Sequence, residues 1–269
     1  MRRVAALMAK DLAELRLSPG IFVPGVLTGL ATVVYPFVIA IIVPYFAGER
    51  LSDSSDFEIA AEMYRQQASA RTLSAEGAIQ AFIFQHALVL MVGLTTVTGS
   101  MSVAAHSVIG EKQARTLEPL LATPLRTAEL LAAKVAGAAI PGVALMASCF
   151  VIYLIGVAVF AEPGVWLSLL NPRTLSLVFV TGPLAALLGL QLAVCASSRV
   201  NDPRSAQQIG AIMIVIPLAA LQIAQFLGGV VLTGPIILGV ASVLGVANAA
   251  LLRVAITIFD RESILTRWK

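Results

Sequence analysis

Charge is scarce in this sequence: Asp, Glu, Lys and Arg together make up 12% of its 269 residues, where an ordinary soluble domain carries roughly 25%. The charges that exist fall between long apolar runs, and none stands deep inside one. Carriers that couple transport to protons or ions usually keep an ionisable residue in the membrane, because it is costly there and persists only for function. No such residue is available here. Cysteine is nearly absent as well. Cys149 and Cys195 both lie within apolar runs, where a thiol behaves as a small hydrophobe, so neither a disulfide nor a metal site is expected.

Reactive groups are equally sparse. The two histidines, His86 and His106, share the second apolar run, and the chain holds no HExxH and no GxSxG, so metalloprotease and serine-hydrolase chemistry lack their parts. Each histidine reads instead as a hydrogen-bonding group between helices or near an interface. Paired aspartates that would hold magnesium on a phosphorylated head group are missing. A phosphate-binding loop needs Gly-x-x-x-x-Gly-Lys-Ser/Thr, yet the lysines here are followed by Asp11, Gln113, Val135 or the chain end. Any ATP must be hydrolysed by another chain.

What the sequence has in abundance is apolar length. Hydrophobic residues make up 58% of it and its mean hydropathy is +0.91, which places it in the membrane. A transmembrane helix needs about 20 mostly apolar residues, and six such runs stand at about 21–46, 80–108, 134–161, 174–197, 208–232 and 235–257. The expected fold is an all-α integral membrane protein forming a single transmembrane domain over 1–269. Ahead of the first run, Val4, Leu7, Met8, Leu12 and Leu15 recur at helical spacing among charges, the pattern of a helix lying in the bilayer interface over 1–20. The charges at Lys10, Asp11, Glu14 and Arg16 interrupt any signal-peptide core, so the N-terminus is expected to be kept.

Lys and Arg decide the orientation. Arg50, Arg65, Arg71 and Arg173 fall on one side of the six runs, and the remaining 14 of 18 fall on the other. The richer side is retained in the cytoplasm, which puts both termini, 109–133 and 198–207 inside the cell and leaves the acidic segment 47–79 as an extracytoplasmic loop. Tyr45, Phe46, Trp166 and Trp268 stand near run ends, where aromatic belts form.

The second run carries Thr95, Thr96, Thr98, Ser100 and Ser102 in a hydroxyl-rich stretch, and the fifth carries Gln222 and Gln225 one helical turn apart. They admit two readings. Thr95, Thr98, Ser102, Gln222 and Gln225 line a transport path between two copies of the chain, or they hydrogen-bond across helix contacts. Ala241, Gly245 and Ala249, four residues apart, suit close packing of the sixth run on a neighbour. A path without charge favours an amphipathic or lipid-like cargo over a small ion.

The segment 109–133 carries the most specific signal. Leu117, Leu120 and Leu121 share one face of a short helix beside Glu111, Lys112, Arg115 and Glu118, an apolar knob among charges that reads as a docking surface or as a helix resting on lipid. Thr123-Pro124 reads as a helix N-cap followed by proline at the first helical position, so a new helix starts there and runs into the third span. Glu111, Thr116-Leu117-Glu118, Leu120-Leu121, Thr123-Pro124, Glu129 and Lys134 closely resemble the cytoplasmic motif of the ABC-2 family of ABC-transporter permeases, E-x-x-x-x-T-L-E-x-L-L-x-T-P with a following E and K. Arg115 stands where many members have glycine, a change tolerated on an exposed helix face. The resemblance extends along the chain to the 197–207 loop and the tail from Phe259.

The resemblance implies the ABC-2, type V exporter-like architecture: an interfacial helix and six transmembrane helices in the cell inner membrane. It implies a permease subunit, not an enzyme, working as an exporter with a second identical or homologous permease and a separate ATPase that binds ATP and Mg, with no cofactor in this chain. Its segment 109–133 is then the coupling helix, and Glu111, Thr116, Leu117, Glu118, Leu121, Thr123 and Pro124 the contact and hinge positions. The competing readings are an ATP-independent channel or carrier, and an intramembrane enzyme left only with serines, threonines and two histidines.

Overall fold

Helix is the only regular structure among the described residues, which in this computed structural model are 19–53, 73–113, 127–197, 203–228 and 232–258. They form six rods. The first joins α1 (Val23–Phe37) through a π-helical turn at Val38–Ile42 to α2 (Val43–Ala47). The second joins α3 (Ala75–Leu90) through a π turn at Met91–Thr95 to α4 (Thr96–Gln113). The third is α5 (Thr127–Phe160), and a short α6 (Val165–Leu169) leads out of it. The fourth joins α7 (Pro172–Ser176) through a third π turn at Leu177–Thr181 to α8 (Gly182–Ser197). The fifth and sixth are α9 (Pro203–Gly228) and α10 (Gly234–Ile258).

Five rods contain stretches long and apolar enough to cross a membrane: Gly20–Ala47, Ala75–Ala104, Gly137–Phe160, Pro172–Ala193 and Gly234–Ala255. The expected fifth span, 208–232, falls on α9, whose described apolar stretch is the shorter Ile212–Gln225. Residues 229–231 and the expected interfacial helix ahead of Pro19 lie outside the described residues.

Rod ends follow from local chemistry. Gly48, at φ 69°, ends α2 in the left-handed conformation and returns its N–H to the Pro44 carbonyl at 3.0 Å, the usual use of glycine past a helix end. Ser74 caps α3 by accepting from the Gly77 N–H at 3.0 Å, as a serine N-cap does. Glu76, in the first turn, accepts from the N–H groups of Leu51 and Ser52 at 3.3 and 3.0 Å, pinning the incoming chain. Asn171 caps α7 by accepting from the Thr174 N–H at 2.8 Å, with Pro172 at the first helical position.

The second rod is the centre of the bundle. Buried residues make up 78% of its apolar window, against 17 to 39% for the other spans. It packs against α1, α5, α8 and α9, and α8 in turn carries α10. Two contacts hold the first three rods together. Near one end, Phe37, Phe84 and Tyr153 form an aromatic triangle with centroids 5.0 to 5.8 Å apart, and the Tyr153 hydroxyl donates to the Phe84 carbonyl at 2.6 Å. Near the other, backbone meets backbone: a Cβ on Gly25 would stand 2.9 Å from the Cα of Gly99, and one on Gly142 would collide with Ser100. Small residues let membrane helices approach this closely.

Candidate functional site

Two places in the bundle bear on function: the end joined by residues 114–126, and a cavity at mid-bundle. At the first, the rods are longer than a bilayer requires. Residues 75–113 span about 58 Å at 1.5 Å per residue and the 34 residues of α5 about 51 Å, where the hydrocarbon core is about 30 Å. The surplus helix falls on either side of the same connection, so 114–126 joins two extended helices that pack on one another. Of the expected contact positions, Glu111 falls in the last turn of α4. Thr116, Leu117, Glu118, Leu121, Thr123 and Pro124 lie outside the described residues.

The expected path residues do not gather in one place. Thr95 is fully buried in the π turn and shares a hydrogen bond at 3.1 Å with the Thr32 hydroxyl of the first rod, a bond between helices. Beside it the Thr96 hydroxyl donates to the Val92 carbonyl. Thr98 is half-buried and Ser102 buried one and two turns further along. Gln222 and Gln225 face the other half of the second rod. Gln222 donates from Nε2 to the His86 carbonyl at 3.2 Å, and the Nε2 of Gln225, buried to 2% exposure, has no hydrogen-bond partner among the described residues. His86 itself donates from Nδ1 to the Phe82 carbonyl at 2.8 Å within its own helix.

Gly245 meets no heavy atom of the described chain within 4 Å and Ala249 is exposed. Ala241, the first of the stripe, is buried within the described chain, so the expected close contact is made at that end only.

Two adjoining cavities open where the second, fourth, fifth and sixth rods meet. The larger, ≈ 200 Å³, is apolar. It is bounded by Val92 and Gly93 of one π turn, by Leu177 and Thr181 of another, and by Pro217 and Val240. The smaller, ≈ 20 Å³, is lined by Gln85, His86, Arg173, Thr174 and Gln225 among apolar residues. The two share Val89, Leu177, Leu232 and Ile237 as common walls. A π turn breaks the regular ladder and frequently marks a functional position, and two of the three here face one cavity.

Gln85, Arg173 and Thr174 were not among the residues read from sequence as site candidates. Arg173 stands between the third and fourth apolar runs, and the Asn171-Pro172 cap starts the helix ahead of it, so that it lines the cavity half-buried. Arg173 is the one charged residue among those that line the two cavities.

Apolar rods, a cavity among them and two rods extended toward a charged connection make the plan of a multi-pass membrane transport protein. Residues 66–244, well over half of the chain, match the family described as ABC-2 family transporter protein, and the chain belongs to that family. It is the membrane-spanning permease component of an ABC transporter, which implies partnership with an ABC ATPase. No curated protein and no solved structure matches it.

Proposed function

We propose that this chain is the permease of an exporter in the cell inner membrane, driven by a separate ATPase subunit that docks on 109–133. The observation that carries the reading is the family match together with the two overlong rods on either side of 114–126. An ATPase that closes on nucleotide moves whatever sits in its groove. Leu117 and Leu121 supply apolar area there, and Glu111 and Glu118 supply orienting charge. A proline-started helix beginning at Thr123-Pro124 passes the movement to α5, which packs on α4 and α8. Thr95, Thr98, Ser102, Gln222 and Gln225 belong to the surfaces that such a movement rearranges. A second permease, identical or homologous, completes the pathway, and the excess of Lys and Arg on one side places both termini in the cytoplasm.

The test is ATP dependence. In inverted vesicles carrying the chain and its ATPase, solute accumulation should require ATP and cease when the ATPase loses its phosphate-binding lysine. Accumulation that continues unchanged after that substitution makes the chain a passive channel or carrier and overturns the proposal.

A further inference from the structure

The larger cavity is an apolar chamber with a single polar group in its wall. Among the described residues that line it none is charged, and Thr181 alone is polar. At ≈ 200 Å³ it exceeds the ~150 Å³ at which an apolar cavity takes up benzene, so it has room for a substituted ring. Val89, Val92 and Leu177 on its inner side are buried, while Met213 and Pro217 on the fifth rod are exposed. The fifth and sixth rods each pack on the fourth and have little contact with one another among the described residues. The chamber therefore faces the bilayer through the seam between them, and an entrant arrives from lipid rather than from water.

The polar group is the unusual part. A hydroxyl inside a helix commonly returns to the carbonyl four residues back, as those of Thr28, Thr32, Ser148 and Ser242 do here. Thr181 closes a π turn in which the Leu177 carbonyl accepts from the Gly182 N–H. Its Oγ1 has no hydrogen-bond partner among the described residues, although the residue is only 7% exposed. Buried polar atoms are rarely left so. A hydroxyl can donate or accept, so a ligand oxygen inside the chamber satisfies it. A lipid alkyl chain does not.

Resting on the permease reading above, we infer that this chamber is a cargo site, within one protomer, for a small uncharged ring compound carrying one hydroxyl or carbonyl. The apolar wall excludes a charged group, which would lose its hydration there with nothing in return. The volume limits the cargo to a ring with a few added carbons. Thr181 orients it by bonding its oxygen. The walls come from rods two, four, five and six and include the π turns of the second and fourth, so a shift of the fifth rod against the second changes the chamber.

Binding is measured on the intact permease in nanodiscs without nucleotide or ATPase, so its failure leaves the test of ATP dependence above standing on its own. The probes are tritiated thymol, a substituted phenol, and p-cymene, the same molecule without the hydroxyl, each corrected for uptake by empty nanodiscs. Thymol should bind saturably. Thr181→Val, which keeps the shape of the side chain, should weaken it about fivefold, the value of one hydrogen bond, with p-cymene unaffected. Val240→Phe and Ala185→Leu, which fill the chamber, should weaken both probes. Each variant is first checked for unchanged melting, and two fillers are used so that one that fails to fold leaves the other. Non-saturable uptake of thymol, or saturable binding unaltered in a folded filler, overturns the site. Equal binding of thymol by Thr181→Val and the unsubstituted chain overturns the hydrogen bond and with it the ligand class. A phospholipid that thymol fails to displace and that both fillers lose would assign the chamber to a lipid chain, and fillers that melt normally but elute at half the mass would assign it to a second copy; either overturns the inference.

Discussion

Gln191 donates from its Nε2 to Oδ1 of Asn248 at 3.0 Å, joining the fourth rod to the sixth through two buried amides. Asn248 is saturated: its Nδ2 also donates to the carbonyls of Leu184 and Leu244 at 3.0 and 2.8 Å. Such bonds average about 0.6 kcal/mol in membrane proteins and reach about 1.7. A double-mutant cycle of Gln191→Leu and Asn248→Leu, read from thermal unfolding in detergent, should give a coupling of about 1 kcal/mol. Strict additivity would show that the sixth rod is held by apolar packing alone.

The glycine contacts make a sharper contrast. Adding side-chain volume to a packed interior costs about 1–3 kcal/mol. Gly142→Val drives a branched side chain into Ser100 and should lower the melting temperature clearly, and Gly25→Val, against the Gly99 backbone, should do the same. Gly239→Ala, where nothing lies within 4 Å, should leave the melting temperature where it was. Equal melting of all three variants would contradict the packing described.

The aromatic triangle divides into a polar and an apolar share. Tyr153→Phe removes the bond to the Phe84 carbonyl and keeps the ring contacts, and should cost about 1 kcal/mol. Tyr153→Ala removes both and should cost about 3–5 kcal/mol. Similar losses from the two, measured by unfolding in detergent, would mean that the hydroxyl rather than the ring secures the third rod.

These contacts show which parts of the molecule were legible in the sequence. The rods were, because an apolar run of about 20 residues has few solutions in a bilayer other than a helix. The pairing of Gln191 with Asn248 was not, since each is an isolated amide in an apolar run and the partner stands 57 residues away. The π turns have no local signature that sets them apart from the surrounding helix. Arg173 had a signal that went unused: Asn171-Pro172 is an N-cap followed by proline at the first helical position, and it carries the arginine into the helix rather than ahead of it. The Ala241, Gly245 and Ala249 spacing was visible, but spacing does not say whether the neighbour belongs to the same chain. The docking role proposed for 109–133 comes from family resemblance, since a leucine face beside charges is shared by docking helices and by helices resting on lipid.

Orientation has its own test. With Cys149 and Cys195 replaced by alanine, Ser52→Cys, exposed beside the cap of the second rod, should react with a membrane-impermeant maleimide in intact cells. Arg115→Cys should react only after permeabilisation. The reverse pattern would place the termini outside and invert the proposed direction of coupling.

The leucines of 109–133 are the proposed seat of the ATPase, and the most direct measurement is what they hold. The chain purified in mild detergent should bring with it an ATP-hydrolysing subunit. The double substitution Leu117→Asp and Leu121→Asp should remove that subunit while membrane insertion and elution of the permease stay the same. An ATPase that remains bound to the doubly substituted chain would contradict the account.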